Sequence, residues 1–123
     1  MKKLMLAMVA ALLFQGCSGG GGVYPDTDVV EPRDCDLKIA TGIQKSGGLL
    51  QAGSLEYAGS GDLVQVYRDY VAAMRSHGWV GANDEIAGQK ATGTLRKDNR
   101  TCALEFTSAA GQVKISIKLS QTK

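Results

Sequence analysis

The chain is short of the side chains that most catalytic and redox sites need. Its 123 residues include one histidine and three cysteines, and no two cysteines have the C-x-x-C spacing of a dithiol redox centre. The histidine, His77, falls near the end of a predicted helix, where a cation complements the negative helix terminus. A catalytic histidine needs a partner beside it, and neighbouring Ser76 is predicted to point elsewhere on the helix. We therefore predict no enzymatic activity, no cofactor and no metal.

Long hydrophobic runs are also missing. The apolar run at the start, Leu4 to Phe14, would span only about 16 Å as a helix, roughly half of a bilayer core, so a transmembrane helix is not expected. A buried amphipathic helix is disfavoured as well, because the stretch is apolar all round and glycines follow it. Since Met1-Lys2-Lys3 places positive charge before this run, the layout is that of a secretory signal.

The end of this signal, Leu13-Phe14-Gln15-Gly16-Cys17, resembles the lipobox of bacterial lipoproteins. Gly16 and Cys17 match the pattern of that family, whereas Phe14 stands where leucine is more common. The resemblance implies that residues 1–16 are a cleaved lipoprotein signal peptide and that acyl chains of the palmitate type attach Cys17 to the lipid bilayer. Because Ser18 follows the cysteine, it also implies a location in the bacterial cell envelope, on the outer membrane facing the periplasm.

Residues 17–34 are predicted to be the lipidated cysteine and a flexible linker. Glycines at 19–22 carry no side chains to pack, and Pro25 and Pro32 favour extended backbone just before them. A coil of about 18 residues, from Cys17 to Cys35, typically reaches on the order of 24 Å. The remainder, residues 35–123, is long enough for one small domain with one core.

Positive charge is in excess only while the signal is attached. The full chain has 14 Lys and Arg against 12 Asp and Glu, and removal of Lys2 and Lys3 would leave 12 of each sign. A balanced chain offers no surplus of cations for phosphate contacts, so nucleic acid is not a predicted partner. The predicted partners are the bilayer, through Cys17, and an envelope protein.

Local patterns along the domain predict an α+β fold. Strands are predicted over 35–43, 49–58, 86–97, 100–107 and 113–119. Apolar residues at spacings of three and four from Leu63 to Met74 predict one helix, with Ser60 as its N-cap and Gly78 as the left-handed residue beyond its end. We expect Trp79 to pack back on Met74 in a Schellman motif. The order ββαβββ predicts a two-layer sandwich, with one helix packed on an antiparallel sheet.

Two cysteines remain once Cys17 is assigned to the lipid. Cys35 and Cys102 both fall in the inward-facing phase of their strands, and an oxidising compartment favours their pairing. We predict a disulfide between them, which requires their strands to be adjacent or to face each other across a core edge. The alternative is two buried free thiols. A zinc site would need more ligands than these two cysteines and His77 provide.

The remaining charged and aromatic residues favour surface and core positions. Glu56 and Glu105 point away from the inferred core, and nothing selects them as an acid–base pair. Tyr67, Tyr70 and Trp79 are predicted core aromatics, with an aromatic ligand site as the alternative.

The stretch 57–79 is similar to a strand–helix–Gly-Trp arrangement of small bacterial envelope lipoproteins, which implies a comparable one-helix sheet domain. Some accessory lipoproteins of outer-membrane assembly machines have such domains. We therefore expect a non-enzymatic, membrane-anchored lipoprotein that presents its domain to a protein partner. The rival expectation is a periplasmic small-ligand binding module with a groove between helix and sheet, and an enzyme ranks third.

Overall fold

A computed structural model describes residues 22–81 and 83–121 of the chain. The elements in chain order are β1 (Cys35–Ser46), β2 (Leu49–Ser60), α1 (Leu63–Ser76), β3 (Val80–Gly81), β4 (Glu85–Ala87), β5 (Lys90–Lys97), β6 (Arg100–Ala109) and β7 (Gln112–Gln121). One helix faces an antiparallel sheet of seven strands, so the predicted α+β class is confirmed. The predicted signal and Cys17 lie outside the described residues.

The strands of the sheet lie in the order β1-β2-β7-β6-β5-β3, and β4 also pairs with β5. The predicted order ββαβββ is wrong in detail, because two short strands, β3 and β4, precede the last three long ones. The strand predicted over 86–97 is divided by a turn at Gly88. This glycine has a φ of 61°, a left-handed conformation through which a strand cannot continue.

The two faces of the sheet differ as the alternation predicts. Along β7, Val113, Ile115 and Ile117 are buried on the inner face, which α1 covers, while Lys114 points to the outer face. The helix meets the inner face through its aromatic residues. The ring of Tyr67 packs edge-on against Phe106 of β6, with the two centroids 5.1 Å apart.

Helix α1 begins two residues later than predicted and ends as predicted. Ser60 still belongs to β2, and the N-cap is Asp62, whose side chain accepts a hydrogen bond from the backbone N–H of Gln65 at 3.0 Å. At the other end, Gly78 has a φ of 95° and the N–H of Trp79 donates to the carbonyl of Met74 at 3.2 Å. With the N–H of Gly78 bonded to the carbonyl of Arg75, this is the predicted Schellman motif.

The flexible linker predicted over 17–34 is wrong for residues 22–34, which pack on the inner face beside α1. Val29 and Val30 are 0% and 1% exposed, and the hydroxyl of Tyr70 donates to the carbonyl of Val30 at 2.7 Å. The physical reason is that one helix is too narrow to cover the inner face of a seven-stranded sheet. A single helix, about 10 Å across, covers roughly two strands spaced about 4.8 Å apart, so the rest of the inner face needs other cover.

A buried ion pair joins this N-terminal segment to the sheet. The guanidinium of Arg100, 1% exposed, donates to both carboxylate oxygens of Asp28 at 2.9 and 2.7 Å and to the carbonyl of Leu50 at 3.0 Å. It also lies 4.9 Å from the ring centroid of Trp79, and Lys97 reaches the same carboxylate at 3.1 Å. The bidentate geometry fixes the segment at one place on the fold.

The Asp28 carboxyl makes the stability of the fold depend on pH. Burial alone would raise its pKa, but the hydrogen bonds from Arg100 and Lys97 outweigh burial and lower the pKa from 3.8 to about 2. A lowered folded-state pKa means that the stabilisation is complete above the unfolded value and is lost as pH falls towards 2. Between pH 5 and pH 2 the unfolding free energy of the wild-type protein falls. We expect it to fall by about 2 kcal/mol less in Asp28→Asn, which lacks the titrating carboxyl. Urea unfolding of both proteins across this range measures the difference, and parallel pH profiles would contradict it.

Candidate functional site

The predicted disulfide between Cys35 and Cys102 is wrong, because both thiols are free and their strands are not neighbours. Strands β2 and β7 lie between β1 and β6, and the pairing registers place Cys35 level with Ser108, six residues from Cys102. Strand geometry then separates the two Cα atoms by about 14 Å across the sheet and about 20 Å along it. A disulfide needs Cα atoms within about 7 Å.

The environments of the two thiols are not those of reactive cysteines. Burial raises the pKa of the Cys102 thiol to about 12, and the thiol lies within the core. Burial, followed by the charges of Asp34 and Asp36, also raises the pKa of Cys35. Because the thiolate is the nucleophile and the metal ligand, both sulfurs are held in their unreactive protonated form.

His77 caps the end of α1 on the surface, as predicted. Its Nδ1 lies 3.1 Å from the carbonyl of Ala73. Contrary to the prediction that Ser76 points elsewhere, its Oγ lies 3.4 Å from the same Nδ1, but the hydroxyl donates to the carbonyl of Ala73 at 2.7 Å. The serine hydroxyl therefore bonds a carbonyl at the helix end, and the serine proton is not directed at the imidazole.

Glu56 and Glu105 lie near each other on the outer face, although nothing in the sequence selected them as a pair. Both pair with Ser116 of β7, one from each side, so two strand spacings of about 4.8 Å separate them. They line a shallow depression that also includes Lys114, and Lys90 lies 3.5 Å from the carboxylate of Glu105. Both glutamates are exposed and lie among lysines, so the geometry is that of a solvated, mixed-charge face.

A groove of about 610 Å³ runs beside α1, and we call it the helix groove. Residues 30–34 and Ser60 line it together with Val66, Asp69, Tyr70, Ala72 and Ala73 of α1. It is therefore bounded by the helix and the N-terminal segment, whereas the sequence placed a groove between helix and sheet. Its volume lies in the range of small-molecule sites. Of the core aromatics predicted, Tyr70 forms part of its floor and is 3% exposed.

Two carboxylates of the helix groove are held in place by neighbouring side chains. The hydroxyl of Tyr57 donates to Oε2 of Glu31 at 2.7 Å, and burial followed by this hydrogen bond raises the pKa of Tyr57. The side-chain amide of Gln65 donates to Oδ1 of Asp69 at 2.8 Å. The groove thus presents fixed negative charge above an apolar floor.

The free edge of β1 is a second exposed feature. β1 is twelve residues long, lies at the end of the sheet and is exposed over most of its length. It carries two of the three large hydrophobic residues that are exposed in the described part of the chain, Leu37 at 41% and Ile39 at 49%. The opposite edge is closed by β3 and β4, which have only two and three residues. Short edge strands prevent pairing with a strand of another chain. The β1 edge is therefore open to such pairing, and the opposite edge is not.

The groove wall formed by residues 30–34 is the part of the site that sequence reasoning missed. The stretch reads as linker because prolines, aspartates and glycines surround it. The usable signal is the adjacent pair Val29-Val30, since two β-branched apolar residues within a polar stretch favour burial.

Helices with the length and hydrophobicity to cross a bilayer are absent from the described part of the chain. Within residues 22–81 and 83–121, no three His, Cys, Asp or Glu side chains lie close enough together to hold a metal ion. Comparison with protein-family models, curated proteins and solved structures finds no significant match.

Proposed function

We propose that this protein is a lipid-anchored lipoprotein of the bacterial cell envelope, attached through Cys17, whose domain is a non-enzymatic protein-interaction module. The lipobox-like sequence supports the anchor, and the two exposed hydrophobic residues on the free β1 edge support the interaction. We assign the outer membrane, facing the periplasm, from Ser18. The β1 edge is the observation that carries the interaction role, because large exposed apolar side chains on an open strand favour contact with another chain.

A packed N-terminal segment makes the proposed tether short. Residues from Cys17 to Gly22 reach at most about 18 Å when fully extended, whereas a linker continuing to Cys35 would reach at most about 65 Å. The carbonyl of Gly22 accepts a hydrogen bond from the N–H of Glu31 at 2.8 Å, so Gly22 belongs to the folded domain. In the anchored protein, Gly22, where the tether joins the domain, therefore lies within about 18 Å of the membrane surface.

We expect Cys17→Ser to move the protein from the membrane fraction to the soluble fraction. Removing the acylated sulfur removes the anchoring chains, each of which contributes about 0.8 kcal/mol per buried methylene. Cys35→Ser is the matched control, because Cys35 lies within the folded domain, and it should leave the protein in the membrane fraction. Fractionation of host cells followed by immunoblotting measures the distribution. Membrane retention of the Cys17 variant would contradict the anchor.

We expect Leu37→Asp or Ile39→Asp to convert a membrane complex of the protein into the monomer. A charge on this edge opposes burial in an interface. Val80→Asp is the control, because Val80 is exposed to 62% and lies on the opposite, closed edge. Native gel electrophoresis of mild-detergent extracts, after gentle crosslinking in cells, measures the assembly. A wild-type protein that remains monomeric, or three variants with identical mobility, would overturn the interaction role.

The helix groove favours a second candidate function, a periplasmic small-ligand binding module. Its volume and its fixed carboxylates are the observations in favour. Thermal unfolding across a panel of metabolites separates the two functions, because only a bound ligand raises the unfolding temperature.

A further inference from the structure

We propose that the helix groove binds a basic segment of a partner polypeptide, with the aliphatic stem of a lysine on the groove floor and its ammonium group among the groove carboxylates. The inference rests on the proposed function, because it specifies the chemistry of a protein partner. It uses a different surface from the β1 edge and makes its own prediction.

The floor of the groove is apolar and rigid. Val30 and Tyr70 are buried beneath it, and Val66 and Ala73 are half-buried along the helix side. The one polar atom of the Tyr70 side chain already donates to the carbonyl of Val30 at 2.7 Å. The floor therefore suits methylene groups, which lysine carries between its backbone and its charge.

The rim of the groove is negative. Glu31, Asp34 and Asp69 are acidic, and the one basic residue, Arg33, has its Nε 3.9 Å from the carboxylate of Asp34. The chain without Lys2 and Lys3 of the signal, by contrast, is balanced, with 12 residues of each sign. Lys90, Lys114 and Lys118 lie on the outer face, whereas Lys97 lies beside Asp28 of the N-terminal segment and Lys45 beside Tyr24. Because three acidic residues line the groove against one basic residue, the groove is complementary to a cationic partner.

The spacing of the carboxylates favours an extended cationic segment over a single ion. The described acidic residues form no cluster of three that could hold a metal ion. Glu31 is fixed by the hydroxyl of Tyr57 at 2.7 Å, and its N–H donates to the carbonyl of Gly22 at 2.8 Å. Asp69 is fixed by Gln65 on the helix. Separate, preorganised charges suit lysines spaced along a peptide, because little ordering cost remains on the protein side.

The test measures binding of a fluorescently labelled, capped Lys-Ala-Lys-Ala-Lys peptide to the full chain in mild detergent by fluorescence anisotropy. We expect saturable binding that Glu31→Gln/Asp69→Asn weakens about fivefold or more, because two charge pairs are lost. The matched control is Glu56→Gln/Glu105→Gln, which removes two carboxylates from the outer face and should change Kd less than twofold. The corresponding Glu-Ala peptide should not bind. Fluorescence of Trp79, which is 1% exposed, verifies that each variant is folded.

Four results would overturn the proposal: no saturable binding to the wild-type protein, equal weakening by both double variants, binding of spermidine at the groove without binding of the peptide, or competition by MgCl2 beyond that of NaCl. Equal weakening would indicate diffuse attraction, and the spermidine result would assign the groove to a small polyamine. Competition by MgCl2 beyond that of NaCl at equal ionic strength would indicate an ion site instead. Mass spectrometry of the same preparations measures whether Cys17 is acylated. The result for the anchor is therefore independent of the result for peptide binding at the groove.

Discussion

Gly93→Ala is expected to lower the free energy of unfolding by about 3 kcal/mol, at the upper end of what overpacking a core costs. A Cβ at Gly93 would overlap the hydroxyl of Tyr67, which passes directly over this position of β5. That hydroxyl donates to Oδ1 of Asp84 at 2.6 Å and lies 3.2 Å from the carbonyl of Thr92, so it has little room to move. Urea unfolding followed by fluorescence of the single tryptophan, Trp79, measures the change.

The matched test for this contact is a double-mutant cycle with Tyr67→Phe. Removing the hydroxyl removes the overlapping atom, although the ring carbon that carries it would still lie 3.3 Å from the new Cβ. We therefore expect Gly93→Ala to cost at least 1 kcal/mol less in the Tyr67→Phe background. If Gly93→Ala lowered the free energy of unfolding equally in the wild-type and Tyr67→Phe backgrounds, the Tyr67 hydroxyl would not be the reason that glycine is required at position 93.

Asp28→Asn is expected to destabilise the fold by about 3 kcal/mol at neutral pH. The substitution keeps the shape of the side chain and removes its charge. The guanidinium of Arg100, 1% exposed, then loses its buried anion and keeps only the exposed carboxylate of Asp98, 4.0 Å away. A buried charge that loses its partner cannot recover solvation from water. The loss also weakens the attachment of the N-terminal segment, because this pair connects the segment to β6.

The control for Asp28→Asn is Asp34→Asn, four residues from Val30 in the same segment. The carboxylate of Asp34 lies 3.9 Å from Arg33, and its side chain is 86% exposed. Surface pairs contribute at most about 1 kcal/mol, and asparagine tolerates the positive φ of 60° at this position. We expect a change below about 0.5 kcal/mol. A comparable loss from both substitutions would contradict the assignment of the buried pair as the main attachment of the segment.

Local features of the fold were predictable because neighbouring residues determine them. The alternation through Val113 and Ile117 marks β7, and Gly78-Trp79 marks the end of α1. The alternation along β6 also indicated that Arg100 is buried, because it falls in the same phase as Cys102 and Phe106, which face the core. A charged residue in an inward-facing phase requires a buried counter-ion, and the structure supplies Asp28.

Long-range pairing was not predictable from these local patterns. Alternation gives the inward phase of Cys35 and of Cys102, but it does not show that β2 and β7 lie between their strands. In the same way, the composition of residues 22–34 resembles a linker, and only the uncovered inner face beside a single helix explains why Val29 and Val30 are buried. The helix groove follows from that packing, so the wall formed by residues 30–34 was not predictable either.

The most direct test of the anchor is the mass of the intact protein extracted from the membranes of its native host. The lipoprotein assignment predicts a chain that begins at Cys17 and carries the added mass of acyl chains on that residue. A protein that retains residues 1–16, or one that begins at Cys17 with an unmodified thiol, would contradict it.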